Sequence, residues 1–199
     1  MKEKWWKKSV IYQIYPKSFK DSNGDGIGDL NGIIEKIDYL ADLGIDVIWL
    51  CPINVSPMMD NGYDIADYYN VDPVFGTNED FERLIACAKE RGIKILMDLV
   101  VNHCSNQHKW FQEAVKNPES EYAGYFLIEE TIGKEPNNIR CYNGTSAWER
   151  IDESNRCYFH SFSKEQPDLN WANPNVRQEI IRMMKFWQKK GIAGFRIDA

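Results

Sequence analysis

The sequence predicts an α/β fold in which short buried strands alternate with amphipathic helices. Three observations support it: brief apolar runs recur along the chain, apolar side chains at helical spacing separate them, and glycines follow the helical segments. This alternation is typical of parallel βαβ units. Four units can be assigned. They fit either half of an eight-stranded β/α barrel or an open doubly wound sheet, and periodicity leaves both open.

The first two strands and the helix between them follow from this pattern. Residues 10–15 form an apolar and aromatic run that ends at Pro16 and leads into a loop rich in Asp, Asn and Gly. Residues 30–43 place apolar side chains on one helical face, and Gly44 ends the helix. Residues 47–50 predict the second buried strand.

The next unit begins after a loop that contains several prolines and glycines. Asn78 is suited to cap a helix that ends at Gly92, and residues 93–101 predict the third strand. The last helix is expected at residues 176–190 and the fourth strand at residues 193–198.

Residues 104–165 interrupt the alternation. This segment is polar, aromatic and irregular, and it is too long for a βα loop of a few residues. It therefore predicts an inserted subdomain. The chain then divides into a first part at 1–103, the insertion at 104–165 and a continued part at 166–199.

Composition excludes several classes of protein. The 199 residues, 43% of them hydrophobic, can bury the core of one ordinary domain. A net charge of −6 argues against a nucleic-acid or anionic-membrane partner. The five cysteines are odd in number and contain no C-x-x-C pair, so reduced thiols are expected. Residues 1–8 lack the apolar core of a signal peptide, and no apolar run reaches the roughly 18 residues of a membrane span, so we expect a cytoplasmic protein.

Polar side chains cluster where the predicted strands end. Residues 61–64 lie in the loop after the second strand, residues 98–103 end the third, and Arg196 and Asp198 end the fourth. Functional groups gathered at the carboxyl ends of successive strands are typical of barrel enzymes. No G-x-G-x-x-G or G-x-x-x-x-G-K-[ST] follows any strand, which removes the usual nucleotide-binding reason for an open sheet.

Arg196 and Asp198 form the most informative pair of the sequence. Residues two apart on a strand point to the same side, so Arg196 can keep the carboxylate of Asp198 ionised and oriented, as a nucleophile requires. A purely structural ion pair at the strand end is the alternative interpretation.

Several segments resemble, in order, the conserved segments of the α-amylase superfamily, glycoside hydrolase family 13. They are Asp-Leu-Val-Val-Asn-His at 98–103, Gln-Pro-Asp-Leu-Asn at 166–170 and Gly-Phe-Arg-Ile-Asp at 194–198. The second of them is similar to the oligo-1,6-glucosidase and α-glucosidase subfamily. Residues 5–16 and 61–68 are similar as well, so the resemblance covers essentially the whole chain.

This resemblance implies a (β/α)8 TIM barrel, of which strands one to four are present, with an inserted domain B after strand three. It also implies retaining hydrolysis of α-glucosidic bonds, with Asp198 as the nucleophile and Arg196 beside it. Retention needs a second carboxyl at about 5 to 5.5 Å to protonate the leaving oxygen. In the family pattern this Glu follows beyond Ala199, so we expect the 199-residue chain alone to be inactive. The enzyme is expected to be a monomer.

The resemblance assigns further residues to a small oligosaccharide substrate. His103 and Asp64 resemble the groups that hydrogen-bond the hydroxyls of glucose, and Tyr63 resembles the aromatic platform beneath the sugar. Phe162 and Gln166 resemble residues that line the subsites near the scissile bond.

Three other features bear on the site. Asp98 is expected to fix the geometry of Arg196 rather than to bind substrate. The segment Tyr-Asn-Gly-Thr-Ser-Ala-Trp at 142–148 departs from the usual aromatic, aromatic, Gly, Gly, Ser, Ala, Trp, which puts one pocket wall in question. His108 and His160 have no partners at metal-ligand spacing, so we interpret them as ordinary surface or core histidines.

The loop after the first strand has the pattern of a cation site. Oxygen-bearing side chains recur at every second position and glycines permit a sharp turn, as Ca²⁺ requires. In the subfamily it resembles a structural Ca²⁺ or Mg²⁺ loop, and a solvated loop of Asx turns is the alternative. The expected ligands are the side chains of Asp21, Asn23, Asp25 and Asp29 and the backbone carbonyl of Ile27.

Two classes of function remain open. The first is an exo-acting α-glucosidase that releases terminal glucose, with sucrose isomerases and trehalose-6-phosphate hydrolases as relatives. The second is a non-catalytic scaffold such as the heavy chain of an amino-acid transporter. The absence of an amino-terminal anchor and the presence of Asp198, Arg196 and His103 favour the enzyme. Beside the nucleophile, Ala199 is nearer to the Val typical of α-1,6 specificity than to the Thr typical of α-1,4.

Overall fold

The computed structural model describes residues 4–152 and 154–198. Ala199, on which the linkage argument depends, lies outside the described residues. In chain order the strands are β1 (Ile11–Ile14), β2 (Val47–Leu50), β3 (Asn54–Val55), β4 (Asp67–Val71), β5 (Lys94–Leu99), β6 (Ile128–Glu130), β7 (Trp148–Arg150), β8 (Arg156–Phe159) and β9 (Gly194–Ile197). The helices are α1 (Pro16–Phe19), α2 (Leu30–Glu35), α3 (Ile37–Asp42), α4 (Asn78–Glu90), α5 (Lys109–Lys116) and α6 (Pro174–Lys190).

The described residues divide into two compact units. The boundary between the predicted barrel part and its insertion, at 103/104, stays a prediction. The first unit contains the residues up to Val55, Tyr69–Leu99 and Met184–Asp198, and the second contains Ser56–Tyr68 and Val100–Met183.

A four-stranded parallel sheet in the order β1-β2-β5-β9 organises the first unit. Every pair of neighbouring strands is parallel, which confirms the predicted βαβ arrangement. Each of β1, β2 and β5 contributes almost fully buried side chains to the core, as parallel strands usually do. These side chains include Ile14, Ile48, Leu50, Ile95 and Met97.

The predicted helix over residues 30–43 is wrong in its continuity, because the structure breaks it into α2 and α3. Lys36, between them, has φ −105° and ψ 5°, and its N–H donates to the carbonyls of Ile33 and Ile34. Leu40 stays on the buried face after this tightened turn. The spacing of apolar residues in the sequence therefore does not reveal the break between the two helices.

The helix α4 begins with a cap that the sequence interpretation placed one residue too late. Thr77, rather than Asn78, is the N-cap: its hydroxyl accepts from the backbone of Asp80, whose carboxylate accepts from the N–H of Thr77. This reciprocal pair is a capping box. The side-chain oxygen of Asn78 instead accepts a hydrogen bond from the N–H of Val71 in β4.

The second unit has a small core of its own. Strands β6, β8 and β7 form an antiparallel sheet in that order. Phe111 of α5 contacts Phe126 and Tyr158 edge to face, with ring centroids about 5 Å apart. Within the described residues, no helix is long and apolar enough to cross a bilayer.

Candidate active site

In the first unit, the ends of β5 and β9 bring three predicted site residues together. The register places Asp98 opposite Arg196, and Asp198 follows two residues later. Arg196 Nη1 donates to Asp98 Oδ1 at 2.9 Å and also donates to Asp198 Oδ1. The side chain of Asp98 is fully buried, whereas that of Asp198 is 18% exposed. The carboxylate of Asp198 is thus held from one side and open on another.

The charge of Arg196 is secured by the same contacts. Burial by itself lowers the pKa of the guanidinium, but the hydrogen bonds to Asp98 and Asp198 outweigh it and raise the pKa above its usual value. Arg196 therefore remains a cation at any pH at which an enzyme works. The pairing of Arg196 with both carboxylates is the arrangement expected from the sequence.

The sequence interpretation missed Trp49, which completes this group. Its indole Nε1 donates to Asp98 Oδ2 at 3.0 Å. Its ring lies 4.6 Å from the guanidinium carbon of Arg196. Trp49 lies between the buried residues Ile48 and Leu50 on β2. Its side chain therefore points to the face of the strand opposite to theirs. Because Val47 is buried as well and the run Val-Ile-Trp-Leu at 47–50 is apolar throughout, the sequence carries no signal that separates Trp49 from the core.

In the second unit, Asp64 is fully buried inside the loop that carries Tyr63. Its Oδ1 accepts from the hydroxyl of Ser56 and the N–H of Asp60, and its Oδ2 accepts from the N–H of Met59. The carboxylate therefore has three partners within its own loop. The role of Asp64 as a sugar ligand stays a prediction.

The four other predicted substrate residues do meet in the second unit. His103 Nε2 lies 3.1 Å from the carbonyl of Tyr63 and 3.0 Å from Gln166 Nε2. The imidazole also contacts the ring of Phe162, with centroids 5.1 Å apart. His103 is only 2% exposed and Gln166 only 1%. These contacts fix the imidazole in one orientation.

An exposed carboxylate that the sequence interpretation did not select adjoins this group. Asp60 Oδ2 accepts from Gln166 Nε2 at 2.9 Å, and its residue is exposed. Asp60 lines a cavity of about 340 Å³. Its other walls include Met59, Tyr142, Phe162, Glu165 and Gln166. The cavity combines aromatic faces with oxygen acceptors, as sites for small molecules commonly do.

The candidate cation loop is held by hydrogen bonds from its own backbone. Asp21 accepts from the N–H groups of Asn23, Gly24 and Gly26, and these bonds, those of Gly24 and Gly26 foremost, lower its pKa. Asp25 accepts from the N–H of Ile27 at 2.8 Å.

Asp29 accepts from Ser22 and caps α2 through Gly32 N–H at 2.7 Å. Burial raises its pKa, but these bonds outweigh that effect, so the net pKa is lowered. Among residues 4–152 and 154–198, no three acidic, His or Cys side chains converge on a metal position. A cation would therefore need the amide oxygen of Asn23 and the carbonyl of Ile27 as well, and these hard oxygen donors suit Ca²⁺.

The catalytic domain of alpha-amylase matches residues 13–199 of the chain. The chain belongs to the alpha-amylase family. Two curated relatives match the full length of the chain. The glucan 1,6-alpha-glucosidase of Streptococcus pneumoniae is 56% identical to it, and the oligo-1,6-glucosidase of Bacillus cereus is 55% identical. Among solved structures, the crystal structure of the trehalose-6-phosphate hydrolase of Bacillus licheniformis superposes on 98% of the chain with a TM-score of 0.96. The two sequences are 52% identical over that part.

These comparisons confirm the predicted family and the predicted fold class of the chain. The chain spans 36% of the length of each of the two curated relatives and 36% of the solved structure. The matched part contains both groups described above, around Asp198 and around His103.

Proposed function

We propose that the protein containing this chain is a retaining α-glucosidase that releases terminal glucose from small oligosaccharides, with Asp198 as the nucleophile. The observation that carries the proposal is the ion-paired, partly exposed carboxylate of Asp198 at the end of β9, held by Arg196. The names of the two curated relatives support α-1,6 linkages as the preferred substrate.

In the proposed reaction, an oxygen of Asp198 attacks the anomeric carbon of the terminal glucose while the glycosidic bond breaks. The leaving oxygen takes its proton from a carboxylic acid, which the family resemblance assigns to a later strand of the whole barrel. Water then attacks the glucosyl ester and returns the carboxylate of Asp198. Two inversions give net retention of the α configuration.

For substrate binding we propose His103, Tyr63, Phe162 and Gln166, with Asp60 as an additional ligand. Within the described residues, the cavity beside Gln166 is lined by the carboxylates of Asp60 and Glu165 and by no Lys or Arg. These carboxylates would repel a phosphate group, which favours a neutral oligosaccharide over trehalose 6-phosphate.

We also propose that the loop from Asp21 to Asp29 binds Ca²⁺, or Mg²⁺ in its place, as a structural ion. The all-oxygen donor set supports it. The ion would supply stability rather than chemistry, because it would tie together the loop between α1 and α2. A cytoplasmic location and a monomeric state also stay proposals. The free thiols of all five cysteines support a reducing compartment.

Purified full-length protein tests the proposal. We expect hydrolysis of isomaltose and of 4-nitrophenyl α-glucoside, with α-glucose as the first product by NMR before mutarotation. Trehalose 6-phosphate, trehalose and sucrose serve as competing substrates. Release of β-glucose would contradict retention. A well-folded protein that hydrolyses none of these substrates would contradict the enzyme and favour a non-catalytic scaffold.

A further inference from the structure

We propose that Trp49 is a positioning residue for the nucleophile: it fixes the guanidinium of Arg196, and through Arg196 it orients the carboxylate of Asp198. This inference rests on the proposed glucosidase activity and concerns a residue that the family segments quoted above do not include. Trp49, Asp98, Arg196 and Asp198 all belong to the first unit.

The face of the indole limits the movement of Arg196. The guanidinium carbon lies 4.6 Å from the ring centroid of Trp49, within the range of a cation–π contact. Trp is the most favourable ring for such contacts, and the side chain of Arg196 is 36% exposed, so the contact is partly shielded from water. The plane of the guanidinium is therefore stabilised against tilting.

The edge of the indole fixes the partner of Arg196. Nε1 of Trp49 donates to Asp98 Oδ2 at 3.0 Å, while Arg196 Nη1 donates to Asp98 Oδ1 at 2.9 Å. Both oxygens of this fully buried carboxylate are thus occupied, and the carboxylate cannot turn without losing a charge-assisted hydrogen bond. One aromatic side chain holds Arg196 directly and holds Asp98 in place beside it.

The consequence reaches Asp198 through a shared atom. Nη1 of Arg196 donates to both Asp98 and Asp198, so a tilt of the guanidinium lengthens at least one of these bonds. Misplacement of a nucleophile lowers the rate of the chemical step more than it weakens substrate binding. Removal of Trp49 is therefore expected to lower kcat and to leave KM nearly unchanged.

Two substitutions in the full-length protein separate the two contacts. Trp49→Phe keeps an aromatic face but loses the N–H donor, and we expect kcat to fall roughly three- to tenfold. Trp49→Leu loses both contacts, and we expect a fall on the order of 100-fold with KM within about twofold of the wild type. Partial rescue by Phe relative to Leu is the signature of the cation–π contact.

A matched control distinguishes positioning from packing. Trp187 of α6 is 1% exposed and contacts Phe81 edge to face at 5.5 Å. Trp187→Phe should lower the melting temperature at least as much as Trp49→Phe does, without a selective fall in kcat.

Coupling to Asp98 provides a second test. In Asp98→Asn, either orientation of the amide turns its NH₂ group toward the indole N–H or toward Arg196, so two donors face each other. Trp49→Phe removes the first of these conflicts. The double variant should therefore lose less activity than the product of the two single losses. Strictly multiplicative losses would contradict a shared network.

An inactive wild-type protein would refute the proposed function but not the positioning role of Trp49. A crystal structure of Trp49→Leu tests that role independently of activity. We expect the guanidinium of Arg196 to adopt a second orientation and its bond to Asp198 to lengthen. The inference is overturned if Arg196 and Asp198 keep their positions in that structure. It is also overturned if Trp49→Leu keeps kcat within twofold of an active wild type.

Discussion

Asp98 and Arg196 lie opposite each other in the parallel register of β5 and β9, and Arg196 Nη1 donates a 2.9 Å hydrogen bond to Asp98 Oδ1. A fully buried carboxylate thus anchors a cation that in turn holds Asp198. Asp98 lies in β5 and Asp198 directly follows the neighbouring strand β9, so one rigid sheet positions both carboxylates.

Asp198→Asn should remove the proposed nucleophile while conserving the shape of the side chain. In the full-length protein we expect kcat to fall roughly 10³-fold or more, because the covalent route is lost. The melting temperature and inhibitor binding should change little. Asp42→Asn, at an exposed position, is the control. A fluorinated glucosyl inactivator should label Asp198 by peptide mass mapping, and labelling of another carboxylate would contradict the assignment.

Addition of Ca²⁺ should raise the melting temperature, and a chelator should lower it, if the loop from Asp21 to Asp29 binds the ion. A ligand that binds only the folded state stabilises it by mass action. Asp25→Asn removes one charge and retains an acceptor for the N–H of Ile27, so it should abolish the response to Ca²⁺. Equal melting temperatures in Ca²⁺ and in chelator would contradict the ion site and would mean that only internal hydrogen bonds hold the loop.

The stability of the protein should depend on the protonation of His108 at mildly acidic pH. His108 is 2% exposed and caps α5 by accepting the N–H of Trp110 at Nδ1. Burial, assisted by Lys109, lowers its pKa from 6.5 to about 4. The unfolded chain therefore binds the proton first. The free energy of unfolding should be highest above pH 6.5 and should fall as the pH decreases toward 4, by on the order of 3 kcal/mol from this residue.

His108→Asn provides the control for that prediction, since Asn can cap a helix but does not titrate. Urea unfolding between pH 7 and pH 5 should show a smaller decrease in the variant than in the wild type. Identical decreases in the two proteins would mean that other groups cause the pH dependence.

Gly32→Ala should destabilise the protein, because α2 packs directly on the chain around Lys20. A Cβ at Gly32 would lie 1.9 Å from the carbonyl oxygen of Lys20, which is a backbone atom that cannot move aside. We expect a loss of about 2 kcal/mol or more in the free energy of unfolding. Gly194→Ala, whose nearest contact would be Leu96 at 3.4 Å, should be close to neutral. Similar losses in both variants would argue against the close approach.

The loop that carries Tyr63 should respond differently to the loss of two neighbouring charges. Asp64→Asn turns one donor toward the loop's own N–H groups and should lower the melting temperature. Asp60→Asn should leave the melting temperature unchanged and raise KM, because Asp60 is exposed beside the cavity. The reverse pattern, with a KM effect only for Asp64, would support Asp64 as the direct sugar ligand.

Local patterns in the sequence predicted most of the architecture. The order of strands and helices in the first unit follows from apolar periodicity, and the parallel sheet follows from their alternation. The break at Lys36 and the cap at Thr77 escaped this reasoning. Both features depend on which individual hydrogen bonds form, and the spacing of hydrophobic residues carries no information about those bonds.

The pair of Arg196 and Asp198 could be predicted because a strand places residues two apart on the same side, and that geometry is local. The partners of His103, Asp60 and Gln166 could not, because they come from segments far apart in the chain. Trp49 shows the same limit: an aromatic residue in a buried strand looks like core until its neighbours are known.

The sequence by itself determined the elements of the fold, the family and the candidate nucleophile, because these depend on residue type, period and order. Only the tertiary structure decided which atoms meet: it gave Arg196 a ring as well as two carboxylates, and it enclosed the carboxylate of Asp64 within its loop. The physical reason is that a hydrogen bond or ring contact requires positions accurate to a few tenths of an ångström. Such accuracy arises only when strands and loops from separate parts of the chain pack together.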